Sequence, residues 1–173
     1  HDALPISPEN LLDIIQTLSA LVDMYGHPVI VSTHPRTRKR LEAMDIAKLD
    51  DRIRFVKPFG FCDYIKLQIH ALCILSDSGT ITEEASLLDL RAVMIRNVHE
   101  RPEGMDAGTL IMAGLRKERV LEAVKIIIAQ RSADGRTTPL VGDYERREVS
   151  KQVLRVVLSY LDYVNRTVWW KPN

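Results

Sequence analysis

Four short apolar runs constrain this chain more than any other feature: PVIV at 28–31, IRFV at 53–56, LCIL at 72–75 and AVMI at 92–95. Each is continuous rather than alternating, so each needs both faces covered, as in a parallel sheet. The stretches between them carry helical periodicity. Leu11, Ile14, Ile15, Leu18, Leu21, Val22 and Tyr25 recur at spacings of three and four before Gly26. Strand and helix therefore alternate, and the expected fold class is α/β, a doubly wound parallel sheet. The 173 residues suit one domain, and 46% hydrophobic content is enough to fill its core.

The pattern predicts helices opening at Pro8, over 37–44, 61–71, 80–88 and 116–131, and a final long one over 144–165. Strands are expected over 28–33, 53–56, 72–76, 92–95 and, briefly, 109–112, with a helical turn near Met105. In the final helix Val153, Val156, Val157, Tyr160, Leu161 and Val164 form an apolar stripe.

A formal net charge of +1 argues against a general nucleic-acid binder. No apolar run approaches the ~20 residues of a membrane span. Cys62 and Cys73 have neither metal-ligand spacing nor a disulfide framework, and Cys73 reads as core. No metal or cofactor is called for, and a cytoplasmic setting is expected. His1 to Ile6, HDALPI, contain no initiator methionine and match the translation of a sequencing-adapter oligonucleotide. They are expected to be a non-native scar, against the plainer reading of an irregular terminus. Residues 7–173 are then the domain.

In doubly wound sheets ligands gather outside the carboxyl ends of the strands. Here every unusual polar cluster follows a strand: STHPRTR after PVIV, KPFGF after IRFV, SDSGTITEE after LCIL and RNVHERPEG after AVMI. In SDSGTITEEA (76–85) Ser78 and Gly79 precede a helix N-terminus, whose N–H groups and dipole attract anions. Gly79 lets a phosphate approach the backbone, and Ser78, Thr80 and Thr82 can donate hydroxyls. Glu84 would repel phosphate but suits a ribose diol. The plainer account makes Asp77 or Ser78 an N-cap and the glutamates ordinary first-turn residues. Arg96, His99, Glu100, Arg101 and Glu103 crowd one loop, where a guanidinium can bind a diphosphate; the alternative is a solvated ion-pair loop. His34 can donate to a phosphate or a base carbonyl, whereas Arg38 to Arg40 read as solvent-facing. Tyr64 can stack on a nucleobase or fill core.

SDSGTITEEA, RNVHERPEGMDAGTLIMAG and STHPRTR resemble the C-terminal half of the non-hydrolysing UDP-N-acetylglucosamine 2-epimerases, and the likeness runs from Pro8 to Trp170. FVKPFGFCDYIKLQ and VSKQVLRVVLSYLDYVNRTVW resemble one branch, the C2-epimerases of bacterial capsule and O-antigen synthesis. That branch acts on UDP-2-acetamido-2,6-dideoxy hexoses on the way to UDP-N-acetyl-L-fucosamine. The resemblance implies the C-terminal Rossmann-like half of a glycosyltransferase-B-like fold, with a UDP-sugar in the cleft between halves. It implies that Ser78 and Gly79 meet the diphosphate, Glu84 the ribose, Arg101 the phosphates, Tyr64 the neighbourhood of uracil and His34 the nucleotide side. Thr80 and Thr82 stand where the family usually has glycine and glutamine, a departure that bears on the phosphate contacts.

The resemblance further implies inversion at C2 through a glycal, and a homodimer. The proton-moving acids belong to the family's N-terminal half, so the catalytic residues are expected outside this chain, which by itself is expected to be inactive. The family's first strand precedes the first helix here. Without it, PVIV and LCIL lack their shared neighbour, and the chain is expected either to pair those strands directly or to be poorly stable. The final helix packs across to the N-terminal half in such folds; alone, its stripe and Trp169 and Trp170 are expected to be partly exposed. A glycosyltransferase donor half and a non-catalytic nucleotide-sugar-binding module are the rival expectations.

Overall fold

The computed structural model describes residues 8–33, 35–43, 50–130 and 135–171. The expectation about His1 to Ile6 lies outside them. The chain divides into two compact units, His1–Val141 and Gly142–Asn173.

The first unit runs α1 (Pro8–Tyr25), β1 (Val29–Ser32), α2 (Pro35–Ala43), β2 (Ile53–Val56), α3 (Phe61–His70), β3 (Ile74–Ser76), α4 (Ile81–Leu88), β4 (Ala92–Met94), α5 (Pro102–Asp106), β5 (Ile111–Met112) and α6 (Lys117–Ala129). All strand pairings are parallel. β1 pairs β2 from Val29↔Ile53 to Ser32↔Val56. β3 pairs β4 from Ile74↔Ala92 to Ser76↔Met94, and β4 pairs β5 at Val93↔Ile111 and Met94↔Met112. The α/β class with parallel strands is thus as expected. Among the described residues the strands form two separate sheets, β1–β2 and β3–β4–β5. The gap expected between PVIV and LCIL is therefore present, and those strands do not close it by pairing with each other.

β4 is buried throughout and shows why the sheet needs two coats. Ala92 and Met94 point to one face, packing with Ile81 and Ala85 of α4 and with Leu90 and Leu110. Val93 points to the other, packing with Val120, Ala123, Val124 and Ile127 of α6 and Leu21 of α1. This is the period-two rule of a strand applied to a doubly covered sheet. α1 bridges the two sheets: Leu18 and Val22 pack with Ile53 of β2 while Leu21 joins the α6 cluster, and Leu75 of β3 touches both groups. Gly26 ends α1 in a left-handed conformation, its N–H bonded to Val22 O at 2.9 Å.

Several boundaries differ from the sequence expectation. α2 begins at Pro35 rather than Thr37, because proline suits the first helical position; its expected end at Met44 lies outside the described residues. β3 begins at Ile74, two residues late. The fifth strand is confined to 111–112, since Thr109 is tied back to Gly104 O by its N–H at 3.1 Å and its hydroxyl at 2.8 Å.

After α4 the chain turns through Asp89, which is left-handed at φ 57°. The Asp89 carboxylate accepts from the N–H groups of Thr137 (2.9 Å) and Thr138 (2.7 Å). Ser86, fully buried, donates to Pro139 O at 3.1 Å and accepts from Val141 N at 2.9 Å. Arg136 donates to Ser86 O. These bonds strap 136–141 along the end of α4.

The second unit holds α7 (Val149–Thr167). It starts five residues later than the expected 144, because Glu148 adopts φ 60° and breaks the helical path. The predicted stripe is present, and Val149, Val153, Val156, Val157, Tyr160 and Leu161 are exposed, as are Trp169 and Trp170 (84%). Among the described residues no helix is long and apolar enough to cross a membrane.

Candidate functional site

The corner between β3 and α4 organises the polar rim. Ser76 ends the buried strand and its Oγ accepts from Ser78 N at 3.1 Å, which turns the chain sharply. Gly79 follows, then Thr80 as the helix N-cap. Thr80 makes no side-chain cap bond, so neither Asp77 nor Ser78 nor Thr80 caps α4 in the usual way. Two of its first N–H groups turn back on carbonyls of the corner, Ile81 N to Ser78 O at 3.4 Å and Thr82 N to Gly79 O at 3.3 Å, while the aligned peptides still leave this end partially positive.

The Thr80 hydroxyl is directed elsewhere. It donates to Glu84 Oε1 at 2.8 Å and shares a 3.0 Å hydrogen bond with Ser78 Oγ. Glu84 Oε2 accepts from Gln68 Nε2 of α3 at 2.6 Å. Tyr64, one turn before Gln68 on α3, adjoins the same cluster. Burial pushes its hydroxyl pKa up, the charges of Glu84 and Asp77 push it further, and a hydrogen bond with Gln68 opposes them.

Arg101 approaches from the other side, from the loop between β4 and α5. Its Nε donates to Glu83 Oε1 at 2.5 Å, and Glu100 lies 3.7 Å from Nη1. The guanidinium lies against Gly79: a Cβ built there would stand 3.8 Å from Nη1 and 3.9 Å from Nη2. The near-equal distances, with Cζ also at 3.9 Å, lay the face of the guanidinium on the glycine, while Glu83 holds Nε and Nη1 donates to Glu100 O at 3.3 Å. Arg96 pairs with Glu100 at 3.6 Å, so the arginines and glutamates of this loop are mutually held.

The structure thus brings together five of the residues singled out in the sequence: Tyr64, Ser78, Gly79, Glu84 and Arg101. His34 lies outside the described residues. The helix N-terminus and the guanidinium can attract an anion, while Glu84, one turn further, presents hydrogen-bond acceptors. Thr80 donates to Glu84 and accepts from Ser78 Oγ, so both hydroxyl protons are engaged within the corner. Sequence reasoning missed Gln68 and the specific task of Glu83. Cys73, by contrast, is inert: burial pushes its thiol up to about 12.

Parallel strands coated on both faces, with polar groups collected at their carboxyl ends, define the doubly wound α/β class in which nucleotides are commonly bound. A family model described as UDP-N-acetylglucosamine 2-epimerase matches residues 2–158, and the chain belongs to that family. A UDP-N-acetylglucosamine 2-epimerase from Methanocaldococcus jannaschii is 33% identical over 123 residues, which are 69% of this chain and 34% of that protein. The structure of a UDP-N-acetylglucosamine 2-epimerase from Rickettsia bellii is similar with a TM-score of 0.83 and 56% identity, over 95% of this chain and 45% of that one. The M. jannaschii enzyme in complex with UDP-GlcNAc and UDP is similar with a TM-score of 0.75 and 28% identity, over 88% of this chain and 41% of that one. The chain spans less than half the length of these relatives.

Proposed function

We propose that this chain is the UDP-binding half of a UDP-sugar 2-epimerase. The observation that carries the reading is the β3–α4 corner, in a chain of this family: an uncapped helix N-terminus beside Gly79, flanked by Arg101 on one side and Glu84 on the other. The diphosphate binds Ser78, Gly79 and Arg101, the Ser78 hydroxyl turning from Thr80 to the phosphate. The ribose diol donates to Glu84, Tyr64 lies against the uracil, and His34 lines the nucleotide side. The complex of the M. jannaschii relative with UDP-GlcNAc and UDP supports this class of ligand.

The proposed reaction inverts C2 of a UDP-N-acetyl hexosamine. A base takes the C2 proton, the C1–O bond to UDP breaks, and a glycal with a C1–C2 double bond remains. UDP then re-adds to C1 as a proton returns to the opposite face of C2. This half holds the leaving group: Arg101 and the helix N-terminus stabilise the charge that UDP gains as it departs. The groups that move the C2 proton belong to the other half of the enzyme. We place the reaction in the supply of precursors for cell-surface polysaccharide, in the cytoplasm, by a homodimer.

The test is an acceptor-free incubation of the intact protein with UDP-N-acetyl hexosamines, followed by proton NMR. C2 inversion with uptake of solvent deuterium at C2 is expected. Transfer of the sugar only when an acceptor is added would make the protein a glycosyltransferase instead. Calorimetric titration with UDP should give heat in the wild type and little when Ser78 and Glu84 are both alanine.

A further inference from the structure

Gln68 has an inverted environment. On α3 its apolar neighbours Leu67 and Ile69 are exposed (37% and 52%), while the amide of Gln68 is buried (4%). Burying an amide without full compensation is unfavourable, and Oε1 of this one has no hydrogen-bond partner. What the burial achieves is contact with the rim: Nε2 reaches across from α3 to Glu84 Oε2 at 2.6 Å. On the far side of the carboxylate, Thr80 Oγ1 holds Oε1 at 2.8 Å. An ionised carboxylate has about four acceptor positions, two on each oxygen. Gln68 fills one position on Oε2 and Thr80 one on Oε1, which fixes the plane of the carboxylate and leaves one acceptor position on each oxygen.

We infer that Gln68 is a positioning residue that sets Glu84 to receive two adjacent hydroxyls, and so makes the site selective for a nucleotide with an intact 2′,3′-diol. The inference rests on the UDP-binding reading and deepens it. Thr80 is the second half of the same device. Gln68 acts through Glu84 and does not itself touch the ligand.

The experiment compares the binding of UDP and 2′,3′-dideoxy-UDP by calorimetry, in the intact protein and in Gln68→Met, which keeps the side-chain length and removes the donor. The wild type is expected to prefer UDP by tenfold or more. In Gln68→Met the affinity for UDP should fall roughly fivefold to tenfold further than that for the dideoxy compound, so the preference collapses; loss of the Gln68 bond to Tyr64 affects both nucleotides alike, because each carries the uracil. Dideoxy binding that persists also certifies that the variant is folded. Gln68→Asn keeps the amide but shortens its reach, and gives the same test should the methionine variant not fold. A variant that retains the wild-type preference, or loses both ligands in equal proportion, overturns the positioning role alone. A wild type that binds UDP without preferring it to the dideoxy compound overturns the ribose assignment of Glu84 and this inference together. A wild type that binds neither overturns the site.

Discussion

Gly79→Ala separates folding from binding. Gly79 is not among the residues with positive φ, so its backbone is open to any L-residue. The atoms nearest to a Cβ built there belong to the Arg101 guanidinium, at 3.8 Å and beyond, which is ordinary van der Waals contact. Alanine therefore costs the fold nothing sterically, and by restricting the unfolded chain it stabilises by about 0.4–1 kcal/mol. For a ligand the same methyl is an obstacle. It covers the backbone at Gly79, which a phosphate must approach closely to reach the helix N-terminus. Loss of one hydrogen bond to a charged group costs about 2 kcal/mol, roughly thirtyfold in Kd. Thermal unfolding without ligand should show a melting temperature unchanged or slightly raised. Calorimetry with UDP should show the affinity reduced by that order, with the heat of binding made smaller. A melting temperature lowered by several degrees would mean that Gly79 serves the fold. UDP affinity within twofold of wild type would mean that the phosphate does not enter this corner.

Two further predictions concern the frame around the corner. Ser86→Ala removes a buried hydroxyl that both donates to Pro139 O and accepts from Val141 N; orphaning those groups should destabilise by about 1–3 kcal/mol in denaturant unfolding, and a loss below 0.5 kcal/mol would show that the strap is not structural. Tyr64 has a folded-state pKa raised by burial and by Glu84 and Asp77. Its proton is released more readily from the unfolded chain, at about pH 10, so the stability it contributes is present below that pH and lost as pH rises through the folded value. Melting curves between pH 8 and 11 should therefore fall more steeply for wild type than for Tyr64→Phe; parallel curves would refute the burial argument.

The parts of this fold legible in the sequence are those governed by periodicity. PVIV, IRFV, LCIL and AVMI read as strands because nothing but a doubly covered sheet hides such runs, and β4 does so with alternate residues. The rim was legible for the same reason, since strand ends locate it. Limits of elements were less so, because they depend on single backbone choices: the left-handed turn at Glu148 delays α7, and the Thr109 bonds to Gly104 O shorten β5. Gln68 was invisible because its pattern points the wrong way: a glutamine between leucine and isoleucine reads as the solvent side, yet it is the buried member. Its one sequence signal was the spacing of four from Tyr64, which places both on one helical face.

The adjacent glutamates show how a local rule becomes a site. Successive residues on an α-helix are about 100° apart around the axis, so Glu83 and Glu84 cannot serve the same neighbour. Glu83 reaches Arg101 on the loop after β4, and Glu84 reaches Gln68 on α3 and Thr80 on its own first turn. One carboxylate thus aims a cation at the corner and the other stands as an acceptor beside it. Both are tied to elements from either side of β3, so the distance between cation and acceptor is set by the sheet rather than by flexible side chains. An ordinary first-turn preference for acidic residues accounts for their presence in α4. It does not account for the separate partners each has found, Arg101 for Glu83 and Gln68 with Thr80 for Glu84.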